Sequence, residues 1–276
     1  MSNYTPFYRY YSSENFKGDN MIIKKKIYFL ILLLIIISIG IVLVFAPSNA
    51  KYRDAQELID AIEAGDKEQI IYLLENGVDP NQTDIPVSQY WSILEIGVRR
   101  PLAVACSTGD YEIVSVLVEH GATAEYIQDT GWSPLKRTLF HYDADDVKIV
   151  ELLLANGADP DKEEVGEHLV FTAAQMYPMP RGSADYLTGY DEEAAENITK
   201  IVEMLLANQT INLQSPAGET ILMYAAMRNN MALAKYCIIK GCDVTLTNVQ
   251  GKTAYDIAVE HGNTDIATLI TNTMRP

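Results

Sequence analysis

Histidines, cysteines and clustered carboxylates are the side chains best equipped for catalysis or metal binding, and in this 276-residue chain they are scattered. His120, His141, His168 and His261 form no H-x-x-x-H pair, so no helix offers two imidazoles to one zinc ion. No serine stands in a G-x-S-x-G turn, which removes the elbow that carries a hydrolase nucleophile. Asp143, Asp145 and Asp146 crowd together as calcium ligands do, yet the glycine and distal glutamate of an EF-hand loop are missing, and a solvated acidic turn is expected. His120 and His261 each precede a glycine and are expected at solvated helix ends, where a cation is favoured. Cys106 follows small residues and is expected as a small core residue. Cys237 and Cys242 are five residues apart; two free thiols are expected because disulfide geometry is strict, with a bridge in an oxidising compartment as the alternative. No catalytic centre, metal site or cofactor is expected, and the chain is not expected to be an enzyme.

Charge narrows the partners. The formal net charge is −16, but residues 1–50 hold five basic and two acidic residues, which leaves −19 for the remainder. A domain so acidic repels phosphate backbones and anionic lipid surfaces, so nucleic acid is excluded and a protein partner with a basic surface is favoured. Contact with a membrane is expected only through the N-terminal segment.

That segment is an apolar run over 27–46 behind Lys24, Lys25 and Lys26. About twenty apolar residues are enough to span a bilayer, and the lysines keep the preceding side cytoplasmic, so the C-terminal side is expected to be exported. Ser48 and Ala50 offer an A-x-A-like cleavage site, and residues 21–50 therefore read as a signal peptide or an uncleaved signal anchor. Residues 1–20 read as an extension outside the fold, with Met21 as an alternative start. The expected place is the periplasm, or the inner membrane with residues 51–276 outside the cytoplasm.

The elements of that exported part repeat. Pro101-Leu-Ala-Val-Ala-Cys106, Gly109, Glu112–Val118 and Gly121-Ala122 recur in altered form, and equivalent starts at Arg100, Ser133, Thr220 and Thr253 give two intervals of 33 residues. Ser133-Pro134-Leu135, Glu151–Pro160, Thr220–Ala226 and Thr253–Ala258 carry the same pattern. The chain thereby resembles the ankyrin-repeat family over nearly all of 54–271. The resemblance implies an all-α solenoid of about six helix-turn-helix units with short fingers, preceded by the N-terminal hydrophobic helix. The units run approximately over 54–82, 100–130, 133–162, 168–214 with an insertion at 175–195, 220–248 and 250–271. Residue types agree: small residues such as Ala105, Ala225 and Ala258 let first helices approach, and Gly65, Gly77, Gly109, Gly121, Gly157, Gly241 and Gly262 stand where left-handed caps are needed. The fourth residue of the family's T-P-L-H motif is never His here but Ala103, Lys136, Phe171, Met223 and Asp256, so the hydrogen bonds made there are expected to be missing.

The resemblance also implies a binding role for a monomeric domain, through fingers and the exposed ends of first helices on a concave face. The matching positions include Ser107, Thr108, Asp129, Trp132, Met227, Arg228 and Glu260, with Glu63, Ala64, Thr130 and Glu219 beside them. Two stretches exceed the repeat length and bring aromatic residues to that face: Tyr90 and Trp91 in one, Tyr177, Tyr186 and Tyr190 in the other. Aromatics on loops supply large contact area at low entropic cost, and His141 lies beside a further departure from the repeat.

Overall fold

In the computed structural model, residues 52–83, 99–125, 132–140, 146–161, 163–164, 167–176, 191–206 and 208–274 are described. The apolar span 27–46 lies outside them; among the described residues no helix is long and apolar enough to cross a membrane. Residues Tyr52–Pro276 form one compact unit.

Helices come in pairs along this unit. The first pair is α1 (52–64) with α2 (Lys67–Glu75), followed by α3 (Pro101–Thr108) with α4 (Tyr111–Glu119) and α5 (Pro134–Thr138) with α6 (Asp146–Ala155). Then come α7 (Leu169–Ala174) with α8 (Glu192–Leu205), α9 (Ile221–Arg228) with α10 (Met231–Ile239), and α11 (Ala254–Glu260) with α12 (Thr264–Thr273). Among the described residues, a two-stranded antiparallel ladder, β1 (Glu163–Glu164) against β2 (Glu167–His168), precedes α7. First helices stack on first helices, as α3 on α5, α7 on α9 and α9 on α11, and second helices follow suit, as α4 on α6, α6 on α8, α8 on α10 and α10 on α12. One buried apolar cluster runs from Leu58 to Ile270 without a break. No pair buries its apolar face alone, which is why the pairs must be stacked to be stable.

Local chemistry ends each helix on schedule. Pro101 and Pro134 open α3 and α5, where no amide donor is needed. Gly109 closes α3 with φ 70°, a left-handed conformation that costs an L side chain energy, and Asn229 (φ 55°) fills the same place after α9. Four of the second helices, α2, α4, α6 and α10, end in a common cap in which an amide beyond the glycine reaches back to the last turn: Val78 to Leu73 at 3.1 Å, Ala122 to Leu117 at 2.9 Å, Ala158 to Leu153 at 3.0 Å and Cys242 to Cys237 at 3.0 Å. This six-residue bond is the Schellman arrangement.

Two features differ from the sequence-based expectation. Helix α8 starts at Glu192, with Asp191 accepting the Ala194 amide at 3.0 Å as its N-cap, and Ala195 is fully buried. Residues 192–195 of the expected insertion are therefore helix, because a carboxylate cap and two further acids in the first turn begin α8 early. The missing hydrogen bonds at the motif's fourth position are also partly replaced. Asp256 accepts the Thr253 amide at 2.9 Å and hydroxyl at 2.7 Å, while Thr253 Oγ1 accepts the Asp256 amide at 3.2 Å, a reciprocal capping box. Met223 Sδ takes the Thr220 amide at 3.4 Å in the equivalent role.

Candidate functional site

Stacking places the C-terminal ends of successive first helices side by side, and the turns that follow leave those ends exposed. Glu63 and Ala64 on α1, Ser107 and Thr108 on α3 and Glu260 on α11 are exposed, while Met227 and Arg228 on α9 are half-buried. Several of these groups are already engaged. Ser107 Oγ donates to the Val104 carbonyl at 2.7 Å and Thr108 Oγ1 to the Ala105 carbonyl at 2.8 Å, so both hydroxyls keep only acceptor capacity for a partner. Glu63 accepts Arg99 Nη1 at 2.6 Å, and Arg99 Nη2 reaches Gln56 at 3.3 Å, tying the first unit to the second. Glu260 pairs with Lys252 at 2.6 Å, which holds its carboxyl below the usual range.

Trp132 combines exposure with packing. Its ring stacks on Phe140 at 4.6 Å and 21°, and Lys136 Nζ and the Arg137 guanidinium lie 5.4 and 5.2 Å from its centre. The indole is still 38% exposed and Phe140 is exposed beside it. A ring fixed on one side and open on the other has little rotamer freedom left to lose on binding, as expected of an anchor.

An open pocket of about 470 Å³ lies beside Thr108, lined by Lys67, Asp110, Tyr111, Glu112 and Lys148. Its charges neutralise one another: Lys67 bonds Glu112 and lies 3.8 Å from Asp110, and Lys148 sits 6.0 Å from the Tyr111 ring. The Glu112 bond raises the Lys67 ammonium above its ordinary value.

The residues singled out for chemistry take structural places. His120 Nδ1 lies 2.8 Å from the Val116 carbonyl at the end of α4, His261 caps α11, and His168 meets the edge of Phe171 at 6.4 Å. Asp146 corrects an expectation: it is buried in the first turn of α6 and does not belong to a solvated turn. Burial pushes the Cys106 thiol up to about 12, with the Thr138 side chain as its hydrogen-bond partner. Among the described residues no three His, Cys, Asp or Glu converge on a point that could hold a metal ion. Tyr90, Trp91, Asp129, His141, Tyr177, Tyr186 and Tyr190 lie outside the described residues.

Exposed apolar residues that the sequence reading passed over include Tyr72 on α2, Ile239 at the end of α10, Val249 at the last fingertip, and Tyr255 with Val259 on α11. The signal for the latter pair was their four-residue spacing on the side of α11 opposite Ala254, Ile257 and Ala258. Also unforeseen were the rungs between units. Asn81 bonds Thr123 and Gly121, Asp161 accepts Gln209 at 3.0 Å and Asn208 at 3.2 Å, and Asn212 accepts the Asp243 amide at 2.7 Å.

Comparison with known proteins agrees with this geometry. The family model described as ankyrin repeats, three copies, matches residues 58–164 and 192–275, well over half of the chain. An ankyrin repeat protein of variola virus is 26% identical over 153 residues, covering 54% of this chain and 24% of its own length. A putative ankyrin repeat protein of Rickettsia bellii is 34% identical over 71 residues, covering 26% of this chain and 42% of its own. The chain thus spans about a quarter to two fifths of these two relatives. Among solved structures, a chain in the complex of the predatory endopeptidase Bd0816 of Bdellovibrio bacteriovorus with the immunity protein Bd3460 superposes with a TM-score of 0.57 at 27% identity. That match covers 78% of this chain and 97% of the other.

Proposed function

Because the chain belongs to the ankyrin-repeat family, which binds proteins, we propose that residues 51–276 are a non-catalytic binding domain that acts outside the cytoplasm and restrains or shields an enzyme there. The observation that carries this reading is the likeness, over nearly the whole of the neighbour's length, to a chain from a complex of an endopeptidase with an immunity protein. The face that meets the enzyme is built from Ser107, Thr108, Trp132, Met227, Arg228 and Glu260. A net charge of −19 beyond residue 50 favours a partner with a basic surface and hastens their encounter. The lysine cluster and apolar run at 24–46 supply the export signal.

Photo-crosslinking from Thr108 and Trp132 in intact cells of the source organism tests the reading. The expected product is one exported hydrolase whose activity falls when the purified full chain is added in equimolar amount. Crosslinks confined to cytoplasmic proteins, or a captured enzyme indifferent to the chain, would refute it. Protease added to spheroplasts reports the side of the membrane separately: digestion of the repeat domain is expected, and full protection contradicts export.

A further inference from the structure

The cap that ends α2, α4, α6 and α10 brings two residues near each other, the third residue from the helix end and the one just beyond the glycine. In the first three units those pairs are Leu73 with Val78, Leu117 with Ala122 and Leu153 with Ala158, apolar residues at the two positions where a hydrophobic contact commonly accompanies a Schellman cap. In the fifth unit both members are cysteine. We propose that Cys237 and Cys242 are a disulfide-forming pair, a staple across the end of α10 that closes when the chain meets a thiol-oxidising compartment. The occurrence of closure in the cell rests on the export reading above; the capacity for it does not.

Geometry favours the bond. The Cys242 amide lies 3.0 Å from the Cys237 carbonyl. Adding one N–Cα bond and the O···Cα span of a peptide caps the Cα···Cα separation at about 6.9 Å for a collinear arrangement, and any bend brings it into the disulfide window of roughly 4.4–6.8 Å. Both thiols are free in the structure, and Cys242 packs against the buried cluster that includes Cys237. Their accessibility differs usefully: Cys237 is fully buried, whereas Cys242 is half-buried and can be reached by an oxidant.

The exchange balances in two steps. Cys242 loses its proton and attacks one sulfur of a disulfide oxidant, oxidised glutathione or the disulfide of a thiol oxidoreductase, expelling a thiolate. Cys237 then loses its proton and attacks Sγ of Cys242, expelling the second thiolate. One S–S bond breaks in the oxidant and one forms in the protein, with two electrons and two protons passing to the oxidant. Burial raises Cys242 to about 11, so the first step is slow at neutral pH and faster in mild alkali.

Trypsin makes the test sharp because Lys240 separates the two cysteines. The detergent-solubilised full chain is incubated with oxidised glutathione in mild alkali, quenched in acid, alkylated and digested without reductant. The expected main species is peptide Tyr236–Lys240 joined by a disulfide to Gly241–Lys252, lost in Cys237→Ser and Cys242→Ser, with Cys106 still alkylated. A stable glutathione adduct on Cys242 beside an alkylated Cys237, or two alkylated cysteines after prolonged incubation, overturns the proposal. The same digest of chain acid-trapped directly from cells separates the two readings: a reduced pair there, after linkage in vitro, counts against export and leaves the pair's chemistry standing.

Discussion

Asn81 and Thr123, 42 residues apart, join the first unit to the second: Asn81 Oδ1 accepts the Thr123 amide at 2.8 Å while its Nδ2 donates to the Gly121 carbonyl at 2.9 Å. Removing the side chain leaves two backbone groups without their partner. Asn81→Ala is expected to lower stability by about 1–2 kcal/mol, the usual scale for a lost amide pair near the surface. Urea unfolding followed by helical signal measures it; an unchanged midpoint would mean that water replaces both bonds.

The capping box of α11 makes an acid-sensitive contribution. Hydrogen bonds from the Thr253 hydroxyl and amide hold Asp256 below its ordinary value of 3.8, so its stabilisation is present above that value and is lost as pH falls through the lower folded one. Thr253→Ala should cost about 1 kcal/mol at neutral pH, typical of an N-cap, and should flatten the acid limb of the stability curve. Thermal melts from neutral pH into acid would show whether the mutant and wild-type curves converge at low pH, as this requires.

Deleting Gln250–Pro276 removes α11 and α12, which cover α9 and α10 and contribute the buried Ile257, Ile266 and Ile270. The truncated chain also loses the bond from Asn263 Nδ2 to the Ala226 carbonyl at 2.7 Å. A lower melting temperature and concentration-dependent association in ultracentrifugation are expected, because a terminal repeat shields an apolar stacking face. A monomer that melts unchanged would show that the stack closes before Gln250.

Anchors and scaffold should separate by mutation. Trp132→Ala is expected to weaken the crosslinked partner by about 2 kcal/mol or more, a hot-spot loss, with a smaller effect on folding because the ring is partly exposed. Replacing 178–190 by a short Gly-Asn turn keeps the buried Met176 and Ala195 on either side and the Asp191 cap of α8. It should therefore preserve cooperative melting, shifting stability by roughly 1 kcal/mol or less, while reducing affinity. Calorimetric titration with the partner, beside a melt of each variant, distinguishes these outcomes.

Residue types made the repeat legible because backbone geometry demanded them. The seven cap glycines named from the sequence all adopt positive φ, and the small first-helix residues Ala105, Ala225 and Ala258 are fully buried. What stayed hidden depends on side-chain direction or on partners far away in sequence. Asp256 and Met223 restore a cap that histidine supplies elsewhere in the family, and only a rotamer reveals it. Asn81, Asp161 and Asn212 look like ordinary turn residues until the next unit is laid over them. The early start of α8 was masked because the stretch before Ile198 exceeds the repeat length, although Asp191 with Glu192 and Glu193 carries a helix-start signature.

The rungs have a bearing on where this chain can be made. Asn81-Gln82-Thr83 and Asn208-Gln209-Thr210 are both acceptor triplets for N-linked glycans, and a glycan would be attached to the very nitrogens that donate to Gly121 and Asp161. Folding and sugar transfer therefore compete for the same two atoms. Passage through a eukaryotic secretory pathway would pry the first unit from the second and the third from the fourth, whereas Asn81→Gln and Asn208→Gln would block the sugar and lengthen the rungs by one methylene. A host that exports without glycosylating leaves the stack as the sequence builds it.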